Sequence, residues 1–162
     1  MIWERLAPGR ILLGMEQHTR SGLLRELGEA LVTEGICRDS YPEALCARED
    51  EYPTGLDMDG FGIAMPHSDA VHVIRTGLAI GVPRRPVTFT AMGTDDETVE
   101  ARIVVALAID DPGSHLDFVE ALLEILRDRE VLEAIEGART PEEAIARVRM
   151  SEEARASGLR GN

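Results

Sequence analysis

Apolar residues recur at the spacing of one helical face near the start of the chain. They occupy Leu23, Leu24, Leu27, Ala30 and Leu31, which line up on one side of a helix. This pattern predicts a helix that begins at Thr19 or Ser21 and ends near Gly35. A second helix is predicted over 40–49, with Glu43 completing a capping box in its first turn.

The last third of the chain predicts three more helices. Ser114 opens the first of them, with Asp117 at the capping-box position. Its apolar face consists of Leu116, Val119, Leu122, Leu123 and Leu126. A shorter helix is predicted over 129–135. Thr140 opens the last helix, where Glu143 completes another capping box.

Five short apolar runs have the length and composition of strands. They cover 10–15, 63–65, 78–82, 87–90 and 101–109. The last run is the most apolar in the chain and is rich in β-branched residues, which predicts a central buried strand. Prolines in 83–86 favour a loop between the third and fourth runs. The stretches 51–56 and 93–98 are predicted to be a turn-rich connection and an acidic loop.

Together these elements predict an α/β fold in a single domain. Helices on both sides of a strand-rich middle are typical of a sandwich, here with a mixed, mostly parallel central sheet of about five strands flanked by helices. We expect this domain to cover 10–148, after a loosely held lead-in at 1–9. The polar residues at 149–162 are expected to form a frayed tail.

Charge and composition narrow the classes of function. The formal net charge of −13 argues against nucleic acid as a partner and suits a partner with a basic docking face. Every basic residue among the 17 is arginine, which excludes lysine chemistry. No apolar run is long enough to cross a membrane and the first residues lack a signal pattern, so we expect a cytoplasmic protein without direct membrane insertion. Cys37 and Cys46 lack zinc-ligand spacing and are predicted to be core residues.

The stretch from Gly60 to Val73 holds the first candidate chemistry. Pro66 lacks a backbone N–H and can end a strand, so His67 stands at a strand end. Asp69 and His72 follow closely, and two histidines near a carboxylate are compatible with proton, metal or phosphoryl chemistry. A histidine at such a position is more often simply half-buried and bonded to a carbonyl.

His115 and Arg48 are two further candidates. His115 lies at the start of a predicted helix, whose unpaired N–H groups and dipole favour an anion. Arg48 lies near the end of the second predicted helix. Each is an ordinary surface residue when taken alone. If the strands ending at Met65 and Ile109 are parallel neighbours, their carboxyl ends would bring these residues towards His67.

The sequence resembles the type-2 enzyme IIA domains of the bacterial phosphoenolpyruvate-dependent sugar phosphotransferase system, the fructose, mannitol and nitrogen-related family. The residues that carry the resemblance are Arg48-Glu49-Asp50, Tyr52-Pro53-Thr54-Gly55, Ile63-Ala64-Met65-Pro66-His67 and Asp110-Asp111-Pro112-Gly113-Ser114-His115-Leu116. They occur in the family's order. The strings 65–73 and 92–99 look most like the galactitol-type branch.

This resemblance implies a phosphocarrier that needs no cofactor or metal. It implies that His67 accepts a phosphoryl group on Nε2 from the histidine-containing phosphocarrier protein and passes it to a cysteine of enzyme IIB. His115 matches the second active-site histidine, which supports the group without carrying it, and Arg48 matches the active-site arginine. Asp69, Ser114 and Thr54 are candidate orienting residues. For Asp69, capping the turn that follows is the simpler role and is slightly favoured over orienting an imidazole.

Two alternatives remain open at the level of the sequence. One is a regulatory enzyme IIA-like module whose phosphorylation state controls a partner protein. The other is a metal-dependent hydrolase that uses His67, Asp69 and His72, although no third metal ligand beyond the histidine pair is evident. The sequence does not identify the sugar, and His72 receives no role from the resemblance.

Overall fold

The computed structural model describes residues 1–111, 113 and 115–158, and it contains seven strands and five α-helices in those residues. The strands are β1 (Ile11–Met15), β2 (Gly55–Met58), β3 (Phe61–Ala64), β4 (Gly77–Pro83), β5 (Val87–Thr90), β6 (Thr98–Ala101) and β7 (Ile103–Ala108). The helices are α1 (Arg20–Thr33), α2 (Tyr41–Glu51), α3 (Leu116–Leu126), α4 (Arg129–Glu136) and α5 (Pro141–Ala156).

Five strands form the main sheet in the order β1-β4-β7-β3-β2. The β1–β4 and β3–β7 pairs are parallel, whereas β4–β7 and β2–β3 are antiparallel. The strand predicted to be central, β7, is the middle strand and is buried along its whole length. The predicted α/β fold with a five-stranded mixed sheet is confirmed.

The two faces of the main sheet carry side chains of different size. Alternate residues of β7 point to opposite faces, so Ile103, Val105 and Leu107 join one core and Val104, Ala106 and Ala108 join the other. The first core contains apolar side chains from α3, α4 and α5, and the second contains those from α1 and α2. The sheet therefore lies between two helical layers.

The pattern does not predict β2 and β6. β2 begins within the predicted turn-rich connection at 51–56, and β6 begins at Thr98, the last residue of the predicted acidic loop, and ends at Ala101, the first residue of the predicted central strand. β5 and β6 form a separate antiparallel hairpin that packs closely on the main sheet. At Gly62 of β3, an added Cβ would lie only 2.1 Å from the Glu100 carbonyl oxygen, so only glycine permits this approach. Short edge strands with exposed acidic residues have little apolar alternation, which explains why the pattern does not predict them.

Several predicted helix caps differ in the structure. Thr19 accepts a hydrogen bond from Gly22 N as predicted, but Ser40 makes no capping bond. Glu43 instead forms an ion pair with Arg25 of the neighbouring helix. Thr140 accepts from Glu143 N, while the Glu143 carboxylate accepts from Arg139 N and leaves the capping box incomplete.

The start of α3 also differs from the prediction. Ser114 lies outside the described residues, and the helix begins at Leu116 after His115, which makes no side-chain capping bond. Leu116 was assigned to the apolar face, but its side chain is 65% exposed. Leu122, Ile125 and Leu126 are the residues of this helix that the core buries.

The first residues of the chain and the described part of the predicted tail, 149–158, contact each other, whereas 159–162 lie outside the described residues. A 3₁₀ helix covers Ile2–Arg5 with Ile2 buried, and α5 continues to Ala156. The Glu152 carboxylate accepts hydrogen bonds from Ile2 N at 2.7 Å and from Trp3 N at 2.9 Å. No helix in the described residues is long and apolar enough to cross a membrane.

We expect Glu152→Ala to destabilise the protein, because it leaves two partly buried backbone N–H groups without their acceptor. The expected loss is about 1–3 kcal/mol of unfolding free energy, measured by urea denaturation. Glu29→Ala, on the exposed side of α1, is the matched control and should change stability little. Equal stability of the two variants would show that the Glu152 contacts do not hold the termini together.

Candidate active site

His67 lies just beyond the carboxyl end of β3, where Pro66 stops the strand. The loop is fixed to the neighbouring strand because the Leu107 N–H donates to the Pro66 carbonyl oxygen at 2.8 Å. His67 itself forms a parallel bridge with Leu107. The side chain is half-buried and its Nδ1 lies 3.1 Å from the Met65 carbonyl oxygen.

The contact with Met65 fixes the tautomer of the neutral His67 ring. A carbonyl oxygen can only accept, so the hydrogen in this bond must be on Nδ1. Nε2 is then left with its lone pair, which is the form of imidazole that can attack an electrophile. The carbonyl bond that is typical of an ordinary half-buried histidine therefore also prepares Nε2 as a nucleophile.

Strands β3 and β7 are adjacent and parallel, as predicted. Ile63 pairs with Ile103 and Ala64 with Val104, so both strands end at the same edge of the sheet. β4 runs in the opposite direction beside β7 and starts at this edge, where Gly77 pairs with Ala108. The pairing thus brings the residues after β3, those after β7 and those before β4 to one edge.

His115 is held at this edge by Asp110 and Thr76. Its Nε2 lies 2.9 Å from Asp110 Oδ1 and 3.2 Å from Thr76 Oγ1. The buried Thr76 hydroxyl also donates to Asp110 Oδ1 at 2.8 Å. Because an ionised carboxylate only accepts, His115 must carry its hydrogen on Nε2, and Nδ1 is the nitrogen left for another contact.

Asp110 is ionised in this arrangement. The hydrogen bond from Thr76, together with that from the His115 ring, holds the pKa of the Asp110 carboxyl below its ordinary value. The Asp110 carboxylate accepts from His115 Nε2, so this nitrogen is not available as a nucleophile and Nδ1 is left for contact with another group.

Arg48 of α2 reaches the segment after His67. Its Nη1 donates to Asp69 Oδ1 at 3.1 Å, and its guanidinium lies over the Tyr52 ring at 4.4 Å from the ring centre. Its Nε is buried and has no hydrogen-bond partner among the described residues. A stacked and ion-paired guanidinium has a defined orientation. Its partner Asp69 follows His67, the candidate nucleophile, by two positions in the sequence.

Asp69 and His72 have partners other than His67. Asp69 was predicted to orient an imidazole or to cap the next turn, but its side chain pairs with Arg48 and makes no capping bond. His72 Nδ1 lies 2.8 Å from Ser40 Oγ. Within the described residues, no group of three or more histidine, cysteine, aspartate or glutamate side chains could hold a metal ion. The hydrolase hypothesis thus has no metal site in this part of the chain.

Thr54 acts on the strand that carries His67. Its backbone N–H and hydroxyl donate to Glu49 at 2.8 Å each, and its Oγ1 accepts from Met65 N at 3.2 Å. Tyr41 fixes the neighbouring strand in a similar way, because its buried hydroxyl donates to the Leu107 carbonyl oxygen at 2.6 Å. These buried contacts fix the carboxyl ends of β3 and β7.

The cysteines are core residues, as predicted. Cys37 and Cys46 are both buried and unpaired. Burial raises the pKa of the Cys37 thiol to about 12, so it remains protonated and unreactive near neutral pH. Burial also raises the pKa of the Cys46 thiol, so neither cysteine is an exposed nucleophile.

Sequence reasoning did not assign roles to Thr76, Asp110 or Glu49. Asp110 and Glu49 belong to the stretches that carry the family resemblance, but nothing in the sequence specifies their partners. Thr76 is separated from His115 by 39 positions. Its position before an antiparallel neighbour of β7 becomes visible only when the strand order is known.

Two histidines and an arginine lie around the ends of β3 and β7, and His67 has a free Nε2. This arrangement in an α/β fold is compatible with a protein that carries a phosphoryl group on histidine. The family comparison gives the narrower assignment. The family model for the phosphoenolpyruvate-dependent sugar phosphotransferase system, EIIA 2, matches residues 5–150. The chain belongs to this family, whose members are phosphotransferase components that carry phosphohistidine.

Individual relatives and solved structures agree with this assignment. The galactitol-specific EIIA component of Escherichia coli strain K12 is 31% identical over 116 residues, which cover 72% of this chain and 77% of the relative. The Escherichia coli complex of enzyme IIAMTL with phosphorylated enzyme IIBMTL contains a similar chain, with a TM-score of 0.71, 26% identity and coverage of 88% and 96% of the two chains. The nitrogen regulatory protein IIA-Ntr of Neisseria meningitidis aligns with a TM-score of 0.70, 25% identity and coverage of 91% and 98%.

Proposed function

We propose that this enzyme IIA domain accepts a phosphoryl group on His67 Nε2 from the phosphohistidine of the histidine-containing phosphocarrier protein. It passes the group to a cysteine of a cognate enzyme IIB. The observation that carries this proposal is the bond between His67 Nδ1 and the Met65 carbonyl, which leaves the Nε2 lone pair available. His115, by contrast, has its Nε2 bound to a carboxylate.

The proposed transfer consists of two displacements at phosphorus. In the first, the His67 Nε2 lone pair forms a nitrogen–phosphorus bond as the donor's bond breaks, and the donor imidazole leaves with its electron pair. In the second, a cysteine thiolate attacks phosphorus and the His67 ring leaves as neutral imidazole. Neither step requires an oxidant or a reductant, so the protein contributes mainly positioning and charge stabilisation.

His115 and Arg48 supply that stabilisation in the proposed mechanism. His115 is anchored through Nε2–H. When the ring takes up a second proton from solvent, its Nδ1–H donates to the phosphoryl oxygens while Asp110 balances the charge on the imidazolium. Arg48 offers a guanidinium whose planar donors match such oxygens. Its ion pair with Asp69 keeps it near the loop that carries His67.

The proposed transport substrate is galactitol or a related polyol. The support is the likeness to a galactitol-specific EIIA component over 72% of the chain. A regulatory role is the second candidate, because IIA-Ntr from Neisseria meningitidis shares the fold at 25% identity. The identity to the galactitol-specific component, 31%, is higher than the identity to IIA-Ntr, 25%, which favours the transport role.

A reconstituted relay tests the proposed function. The full chain is incubated with phosphoenolpyruvate, enzyme I and the phosphocarrier protein, and acid-labile phosphoryl label is then followed onto the galactitol enzyme IIB. We expect labelling of this chain and onward transfer to the IIB cysteine. Labelling without transfer to any sugar-specific IIB would favour the regulatory role, and no labelling would contradict both.

Arg48→Lys tests the proposed role of the guanidinium. Lysine keeps the charge but loses both the stacking on Tyr52 and the planar donor geometry. We expect phosphotransfer to slow by about tenfold, as for the loss of roughly 1.4 kcal/mol of transition-state stabilisation. Arg38→Lys on the exposed surface is the control. If both variants transfer at the wild-type rate, Arg48 has no role that depends on guanidinium.

A further inference from the structure

The most buried carboxylate near the site among the described residues has no role in the mechanism described above. Glu49 lies beside Arg48 on α2, but its side chain points inward and is 1% exposed. A carboxylate is stable in such a place only when hydrogen bonds satisfy it. Both of its oxygens accept a bond, Oε1 from Thr54 N and Oε2 from the Thr54 hydroxyl, each at 2.8 Å.

The hydrogen bonds continue from Glu49 to the histidine. Thr54 Oγ1 donates to Glu49 and can therefore accept, which it does from Met65 N at 3.2 Å. The same N–H also donates to the Thr54 carbonyl oxygen over a longer distance of 3.4 Å. The Met65 carbonyl oxygen in turn accepts from His67 Nδ1 at 3.1 Å. The donors along this route all point towards the carboxylate, but the Met65 N–H and the Met65 carbonyl belong to different peptide groups, so the link between them is the position of the Met65 backbone.

We propose that Glu49 is a positioning residue for His67, acting through Thr54 and the Met65 backbone to keep the ring in its Nδ1–H tautomer with Nε2 free. This inference rests on the proposed function only for its catalytic consequence. The His67 tautomer itself can be measured in this protein without a phosphoryl donor or acceptor.

The direction of the hydrogen bonds links the Glu49 carboxylate to the position of Met65, whose carbonyl oxygen holds the His67 tautomer. A carboxylate only accepts, so it forces the Thr54 O–H to point away from Met65 and leaves an Oγ1 lone pair for the Met65 N–H. A carboxamide at position 49 has an NH₂ group that donates to Thr54 Oγ1, so the hydroxyl hydrogen must turn elsewhere. Met65 is then less firmly held, and its carbonyl oxygen is less firmly placed to accept from His67 Nδ1–H.

Glu49→Gln and Thr54→Val test this inference, and Thr54→Ser is the rescue variant because it restores the hydroxyl. Glu51→Gln is the matched control, since it makes the same chemical change on the exposed side of the same helix. The ¹⁵N chemical shifts of the neutral His67 ring report the tautomer without any donor protein. Phosphotransfer rates are measured separately in the reconstituted relay.

We expect the wild-type ring to be predominantly Nδ1–H. In Glu49→Gln and Thr54→Val the Nε2–H fraction should rise, and phosphotransfer should slow by about three- to tenfold, the effect of losing one neutral hydrogen bond. Thr54→Ser and Glu51→Gln should match the wild type in both measurements.

Two results would overturn the inference. One is an unchanged His67 tautomer in both folded test variants, which would make Glu49 a purely structural partner of Thr54. The other is a loss of the tautomer preference in Thr54→Ser equal to that in Thr54→Val. If the wild type shows the Nδ1–H tautomer but takes no label from the donor, the proposed function fails while the positioning role stands.

Discussion

His67→Ala is expected to take no acid-labile phosphoryl label from the phosphocarrier protein. The variant lacks the one imidazole whose Nε2 is left free by a backbone contact at the ends of β3 and β7. No second nucleophile replaces it in our account, because His115 Nε2 is bound to Asp110 and the Cys37 thiol is buried. The measurement is label incorporation over time at equal protein concentration, with circular dichroism to confirm the fold.

His72→Ala is the matched control for this experiment. His72 is five residues further along the same segment, but its ring contacts Ser40. We expect this variant to take label to the wild-type extent. Persistent labelling of His67→Ala, or loss of labelling in His72→Ala alone, would contradict the assignment of the nucleophile.

His115→Ala is expected to slow phosphoryl transfer strongly without abolishing it. The change removes a donor that Asp110 and Thr76 hold in place beside the developing negative charge. Loss of one such fixed donor typically reduces the rate by about 100- to 1,000-fold. Rapid-quench measurement of the single transfer step from the phosphorylated donor provides the rate.

The extent of labelling separates the two histidine roles. His115→Ala should approach the wild-type stoichiometry when given enough time, because the nucleophile is intact. His18→Ala is the control, because His18 follows the carboxyl end of β1, which lies at the opposite edge of the sheet from the carboxyl end of β7. A transfer rate for His115→Ala within twofold of the wild type would remove the second histidine from the mechanism.

Much of the fold could be predicted because its strongest signals are local. Most of the apolar run at 101–109 forms the middle strand β7 (Ile103–Ala108). This strand is buried between two helical layers. The proline after Met65 ends β3 where expected. The parallel pairing of these two strands was a hypothesis from pattern, and the register of Ile63 with Ile103 confirms it.

Side-chain partners were less predictable than strands. Glu43 satisfies a capping-box pattern, but an arginine on the adjacent helix provides a charged partner that local sequence does not reveal. Asp69 likewise pairs with Arg48, 21 positions earlier. Leu116 continues an apolar face in sequence, yet the helix begins at that residue and its first turn projects beyond the core.

The candidate site could be predicted as a set of residues, whereas its proton arrangement could not. The resemblance names His67, His115 and Arg48, but it does not show which ring nitrogen carries hydrogen. That property depends on a carbonyl two residues before His67 and on a carboxylate five residues before His115. Both contacts follow from backbone paths at the ends of strands, which no residue pattern encodes directly.

The central claim is that the phosphoryl group resides on Nε2 of His67. Long-range ¹H–¹⁵N correlation spectra of the uniformly ¹⁵N-labelled wild type, recorded before and after phosphorylation by the donor, test it most directly. We predict that the His67 ring alone shows a phosphorus-coupled Nε2 and that Nδ1 retains its hydrogen. Coupling at Nδ1 of His67, or on the ring of another histidine, would contradict the account.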